Sequence, residues 1–170
     1  MQPLTEPIVD LVVTGSSIVE QLFNGFSIAG SGFFSRLSSV SAAGDVNGDG
    51  IDDFIVGEIG QSSDAGRSYV IFGTDQGFEP NFDLSTLDGT NGFVIEGAVA
   101  GDALGTDVGG VGDINGDGFG DILIGAPTAD PDGLSEAGEA YVIFGAASGF
   151  AASMSVTELD GANGFTIRSD

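Results

Sequence analysis

The sequence predicts an all-β protein of antiparallel four-stranded blades stacked around a propeller axis. Three observations carry that reading: an internal repeat, strands that are apolar without interruption, and the absence of any sustained helical period. Asp45 recurs as Asp113, 68 positions on. SYVIFG at Ser68 recurs as AYVIFG at Ala140, and NGFVIEG at Asn91 recurs as NGFTIRS at Asn163, both 72 positions on. The second copy is thus four residues longer, and the excess falls in one polar stretch, APTADPDGLSEAGEA against EIGQSSDAGRS. Surface loops tolerate such insertions. A remnant, NGFSIAG at Asn24, precedes both copies, and LVVTG at Leu11 is a weak match to YVIFG. The repeats divide the chain into a partial N-terminal repeat over 1–30, a first blade over 31–97 and a second over 98–170.

Each copy reads as strands separated by turns. In the first, SSVSAAG leads into an acidic loop and DFIVGE, SYVIFG and GFVIEG follow; the second gives GGVG, the loop, DILIGA, AYVIFG and GFTIRS. These runs are short and rich in Val, Ile, Phe and Tyr, as strands are. Phe54–Val56, Ile122–Ile124 and Val142–Phe144 are apolar at every position, so both faces of those strands are expected to be covered. A β-sandwich would alternate apolar with polar. Short turns make successive strands antiparallel. Thirty glycines against five prolines fit a turn-rich chain. Closed propellers need about four to eight blades. Two blades leave apolar faces at both ends, so the chain is expected to self-associate or to be a fragment of a longer propeller.

Composition excludes several functions. Three basic residues, Arg36, Arg67 and Arg168, face 26 acidic ones, for a net charge of −23. Such a surface repels phosphate backbones and anionic lipid, so neither nucleic acid nor membrane insertion is expected, whereas a metal cation is a natural partner. No apolar run approaches a membrane span, and MQPLTEPIVDLVV lacks the pattern of a signal peptide. His, Cys and Lys are absent, which removes Ser-His, Cys-His and Schiff-base chemistry and zinc-histidine sites. Paired-carboxylate glycoside hydrolysis is the common mechanism left open, and no pair outside the acidic loops suggests it.

The acidic loops are the strongest local signal. In GDVNGDGIDD, Asp45, Asn47 and Asp49 take positions one, three and five, Ile51 takes seven and Asp53 nine. In GDINGDGFGD, Asp113, Asn115, Asp117, Phe119 and Asp121 take the same places. Alternate spacing lets side chains converge while the backbone curls, and Gly50 and Gly118 permit the bend. Ile51 and Phe119 offer carbonyls. Oxygen-only coordination of flexible geometry suits Ca²⁺ better than Mg²⁺. An EF-hand would carry Glu at position twelve between helices, but Val56 and Ile124 stand there inside strands. The opposing reading is turn chemistry, in which Asp and Asn cap their own backbone.

GDVNGDGIDDFIVGE and GDINGDGFGDILIGAP resemble the FG-GAP repeats of integrin α-subunit propellers and their bacterial relatives. The second copy contains Gly125-Ala126-Pro127 itself; the first has Gly57-Glu58-Ile59. The resemblance runs from about Phe33 to the C-terminus, with Asn24–Gly30 as a remnant. It implies an integrin-like β-propeller with two structural Ca²⁺ sites, held by Asp45, Asn47, Asp49, Ile51 (carbonyl) and Asp53, and by Asp113, Asn115, Asp117, Phe119 (carbonyl) and Asp121. Sites of the extracellular kind bind calcium at about 10⁻⁴ to 10⁻³ M. The function implied is a non-enzymatic adhesion or ligand-binding module, extracellular or at the cell surface, with a protein or carbohydrate partner not identified. The alternatives are an accessory or catalytic propeller of a carboxylate-dependent, glycoside-type hydrolase, or a structural spacer. Tyr69 and Tyr141 occupy equivalent positions and read as packing residues. Asp64, Asp130, Asp132 and Glu136 in the variable loop read as solvated, or as a partner contact or weak ion site. Arg67 is replaced by Glu139 in the second copy, so neither reads as part of a repeated site.

Overall fold

The computed structural model describes residues 13–14, 18–19, 26–29, 36–60, 65–147 and 149–168. Its strands are β1 (Val13–Thr14), β2 (Ile18–Val19), β3 (Ser27–Ala29), β4 (Arg36–Gly44), β5 (Asp53–Ile59), β6 (Arg67–Ile71), β7 (Asn81–Asp83), β8 (Gly92–Glu96), β9 (Val108–Gly112), β10 (Asp121–Ala126), β11 (Glu139–Ile143), β12 (Ser153–Ser155) and β13 (Gly164–Arg168). Helix among the described residues is confined to three short 3-10 turns, Leu84–Thr86, Pro131–Gly133 and Val156–Glu158. No helix among them is long and apolar enough to cross a membrane.

The protein is all-β, with antiparallel sheets built as blades. The second copy forms a four-stranded sheet in the order β13-β11-β10-β9, antiparallel throughout. The first forms β8-β6-β5-β4 in the same manner, with β12 added as a fifth strand. β12 pairs parallel to β8, Ser153 opposite Val94. The blade of the first repeat is thus four-stranded as expected, and the fifth strand of its sheet comes from the second repeat. The connector of the following blade lies along the outer edge and covers backbone groups that would otherwise be open. β7 is the repeat equivalent of β12 and pairs parallel to β3, Ser27 opposite Asn81. β3, within the Asn24–Gly30 remnant, thus stands to the first sheet as β8 stands to the second. Among the described residues Val13–Thr14 pairs with Ile18–Val19, and the rest of the weak LVVTG match lies outside them.

The unbroken apolar runs are explained by packing on two sides. Phe54, Val56, Tyr69 and Ile71 face one way, into a cluster with Phe26 and Ile28. Ile55, Val70, Phe93 and Ile95 face the other, against Ile122, Ile124, Tyr141 and Ile143 of the second sheet. Phe150 stacks on Phe93 with centroids 4.4 Å apart, closing the outer side of this seam. The second sheet repeats the pattern on one side only. Val111, Ile114, Phe165 and Ile167 are the repeat equivalents of the buried Ala43, Val46, Phe93 and Ile95, yet they are 36%, 50%, 39% and 50% exposed. A repeat buries its far face only when a neighbour follows it.

Near the seam the sheets approach closely enough to require glycine. A Cβ at Gly57 would lie inside the van der Waals shell of the Gly105 carbonyl oxygen. That oxygen also accepts the Ser38 hydroxyl at 2.5 Å, and Gly105 N–H donates to Gly125 O at 3.0 Å. Gly109 on the edge strand β9 has room, its nearest neighbour being Ser41 Oγ at 3.9 Å. Gly57→Ala should therefore cost about 2 kcal/mol by overpacking the seam. Gly109→Ala should stay within about 0.5 kcal/mol of the parent. Urea unfolding of the two variants side by side checks the contrast.

Candidate metal centre

The first acidic loop joins β4 to β5 and the second joins β9 to β10, so each connects the edge strand of its sheet to the strand beside it. The loops curl around their first aspartate. Asp45 Oδ1 accepts the N–H groups of Gly48 and Asp49 at 2.7 and 3.0 Å, and its Oδ2 accepts Gly50 N–H at 2.9 Å. Asp113 does the same with Gly116, Asp117 and Gly118 at 2.7, 3.0 and 2.9 Å. Asn47 Nδ2 donates to Asp49 at 3.0 Å and Asn115 Nδ2 to Asp117 at 2.8 Å. Asp49 and Asp117 accept the N–H of Ile51 and Phe119 at 2.8 and 3.0 Å. Gly50 makes a left-handed turn, φ +87, and a Cβ there would meet nothing within 4 Å. Backbone torsion and not crowding therefore demands glycine at that position.

Position nine has a different role. Asp53 and Asp121 open β5 and β10 and are buried, 2% and 0% exposed. Asp53 Oδ2 accepts Val46 N–H at 2.8 Å, and its Oδ1 accepts Gly73 N–H at 2.7 Å from beyond β6. Asp121 binds Ile114 N–H at 2.8 Å and Gly145 N–H at 2.9 Å in the same way. Each carboxylate therefore ties its loop to the end of a third strand. Gly73 and Gly145 were not apparent as site residues from the sequence, although both close the repeated YVIFG. Burial pushes the Asp53 carboxyl from 3.8 up to about 6; the N–H groups of Gly73 and Val46 pull it down, and repulsion from Asp49 adds to the rise.

The two loops also touch. Gly120 N–H donates to Asp45 O at 2.7 Å and Ala146 N–H to Val46 O at 2.9 Å. The Phe119 ring covers Gly48, where a side chain would collide with it. Val46 is fully buried beneath this contact, while its equivalent Ile114 is half exposed.

The donor set consists of oxygen atoms only, which suits a hard cation. Among the described residues, no three His, Cys, Asp or Glu side chains gather at metal-holding range. A cation would thus need the neutral oxygens of Asn47 and Asn115 and the carbonyls of Ile51 and Phe119 beside the carboxylates. The carboxylates already satisfy backbone amides, as turn chemistry requires. Asp45 Oδ2 and Asp113 Oδ2 accept one N–H each and keep a second lone pair, whereas Oδ1 of each already accepts two. Burial of Asp53 and its repulsion with Asp49 are the features a cation would relieve. The oxygen donors of both loops are of the chemical type that a calcium ion takes.

Tyr69 and Tyr141 lie in the core, 2% and 5% exposed. Tyr69 donates its hydroxyl to the buried Glu58 at 2.5 Å, and Tyr141 donates to Glu139. Burial, with Glu139 second, raises the Tyr141 phenol above its ordinary value. Glu58 stands where the second copy has Ala126, so the two tyrosines take their carboxylate partners from different strands. Asp130, Asp132 and Glu136 are exposed, and Asp132 lies 3.8 Å from Arg168. Asp64 lies outside the described residues.

A family model described as FG-GAP repeat matches residues 37–71 and 105–143. The chain is similar to Phosphatidylinositol-glycan-specific phospholipase D of Bos taurus, 36% identical over 120 residues, 68% of this chain and 14% of the relative. The Rattus norvegicus protein of that name is 37% identical over 120 residues, again 68% of this chain and 14% of the relative. Integrin alpha-PS2 of Drosophila melanogaster is 31% identical over 134 residues, 74% of this chain and 9% of the relative. The chain thus spans only a small part of the length of each.

The Asp53 shift fixes the sign of a pH effect. Its carboxyl is harder to ionise folded than unfolded, so stability falls as pH rises from 3.8 to about 6 and returns on acidification. In chelator, the melting temperature should rise as pH is lowered from 7 towards 5. Asp53→Asn should flatten that rise and weaken the fold by about 1–3 kcal/mol, because an amide cannot accept both N–H groups. Thermal melts of both proteins across that range supply the check.

Proposed function

We propose that this chain, which belongs to the integrin-like FG-GAP repeat family, is a calcium-stabilised, non-enzymatic binding or adhesion module. The observation that carries the reading is the twin loop. Two acidic loops repeat one hydrogen-bond pattern residue for residue, each directly before a buried strand. Bound calcium would neutralise the clustered carboxylates. Asp45, Asn47, Asp49 and Asp53, with the Ile51 carbonyl, would hold one ion; Asp113, Asn115, Asp117 and Asp121, with the Phe119 carbonyl, the other. The ions act structurally in this reading, and the module works outside the cell or at its surface, presenting loops to a protein or carbohydrate.

A second reading, an accessory module of a hydrolase, is favoured by the similarity to phospholipase D proteins. Hydrolase assays with pH profiles separate the two, since a binding module turns nothing over.

The exposed face of the second sheet supports contact with a further blade. On the first sheet, the equivalent face is covered by the loop and strands of its neighbour, with Phe119 over Gly48. Gly116, the equivalent of Gly48, has nothing within 4 Å. Another blade of this type, from a longer chain or a second copy, fits there.

Calorimetric titration of chelated protein should find two calcium ions per chain, and Asp45→Ala and Asp113→Ala should each remove one. At a hundredfold excess over Kd, each filled site should add about 2.7 kcal/mol of stability. Unchanged melting across millimolar calcium would overturn the assignment. Light scattering of the isolated chain in calcium should show self-association, and Phe165→Asp should reduce it; a well-behaved parent monomer contradicts that part.

A further inference from the structure

The last strands of the remnant and of the first repeat each hold a short strand from the repeat that follows. β8 receives β12 in parallel, Val94 opposite Ser153, and β3 receives β7 in the same register, Ser27 opposite Asn81. A ring seals each joint: Phe150 stacks on Phe93 at 4.4 Å, and Phe78 stacks on Phe26 at 4.3 Å. β13 is the third strand of this kind, and Phe165 and Ile167 stand in it where β8 has Phe93 and Ile95. Among the described residues, the far edge of β13 pairs with no strand, and Phe165 meets the ring of Phe144 in its own sheet at 5.9 Å.

The residues of β13 also suit β7. The Ser27 hydroxyl lies 3.1 Å from Pro80 O and 2.9 Å from Asn81 Oδ1, both acceptors. Thr166 takes the place of Ser27 in β13 and brings a hydroxyl of its own. Ala29 lies opposite Asp83, and Arg168 takes that place in β13. β13 laid on β7 of a second copy would therefore set an exposed Arg168 opposite an exposed Asp83. The face behind β7 matches as well. Phe54, Val56, Tyr69 and Ile71 are the repeat equivalents of the residues that the second sheet sets against Phe93 and Ile95. Such a set would cover Phe165 and Ile167.

We propose that β13 of one copy binds β7 of a second copy in the place of that copy's β3, so that the chain assembles head to tail by strand exchange. This rests on the contact with a further blade described above and names its occupant. The exchange trades one short strand for another of like sequence and in addition buries Ile114, Phe165 and Ile167, now half exposed. Swapping of equivalent elements has a low free-energy cost. Every joint then repeats the internal seam. Each copy brings two blades and closed propellers hold about four to eight, so the assembly closes at about two to four copies. The net charge of −23 opposes it, and association should strengthen from low to physiological salt as that repulsion is screened.

The chain has no cysteine, so introduced thiols report on the joint directly. Asn81→Cys and Thr166→Cys, made in separate full chains, are mixed at physiological salt in a glutathione redox buffer. Paired strands lie about 4.8 Å apart, within the Cα separation that a disulfide spans. The mixed disulfide should dominate over both homodimeric ones. Asp83→Cys mixed with Arg168→Cys reads the same register two residues on and serves if Asn81→Cys does not fold. Ser27→Cys combined with Asn81→Cys in one chain locks β3 onto β7. The oxidised lock should be monomeric by light scattering, and its reduced form should assemble as the parent does. Arg168→Glu should weaken assembly about fivefold, because it turns an attraction of exposed charges into a repulsion. A locked chain that still assembles, or mixtures without the mixed disulfide, would overturn the exchange and leave the contact with a further blade standing. A parent that stays monomeric would overturn it too, while calcium titration of the same sample reads the acidic loops independently.

Discussion

Each blade depends on one buried carboxylate. Asp53 and Asp121 sit where an acidic loop meets a strand, and each accepts one N–H from its own loop and one from the glycine beyond the third strand. Charge-assisted bonds of this kind are the stronger class of hydrogen bond. Through them a loop rich in glycine and like charge acquires a fixed position against the core. Folding leaves the Asp53 carboxylate desolvated beside Asp49, a cost that the cation proposed for the loop would relieve.

Stacking extends the order from blade to blade. The first loop is roofed by the second, and the first sheet is covered on both sides, by the β3 remnant and by its neighbour. The second sheet and its loop have the same residues in the same places without the roof, and Ile114 and Ile167 stand half exposed as a result. Parallel pairing of β12 on β8 and of β7 on β3 adds a strand exchange that locks each outer edge to the following repeat. Stability in such an array resides at interfaces between neighbours.

Much of this was legible in the sequence, for identifiable reasons. The unbroken Phe54–Val56 run announced a strand with two covered faces, and the offset of Asp45 from Asp113 located the loops. The fifth strand was not legible: Ser153–Ser155 is polar and three residues long, and its pairing is parallel and depends on the neighbouring blade. The partners of Asp53 were hidden because they are backbone N–H groups, one of them on a distant glycine.

The central claim is that the acidic loops are cation sites built around a buried carboxylate. Solving the structure from crystals grown in millimolar calcium tests it most directly. The account predicts one ion in each loop, with oxygens of Asp45, Asp49 and Asp53, and of Asp113, Asp117 and Asp121, at about 2.3–2.6 Å. Well-ordered loops containing only their own amide hydrogen bonds, with no ion in either, would contradict it.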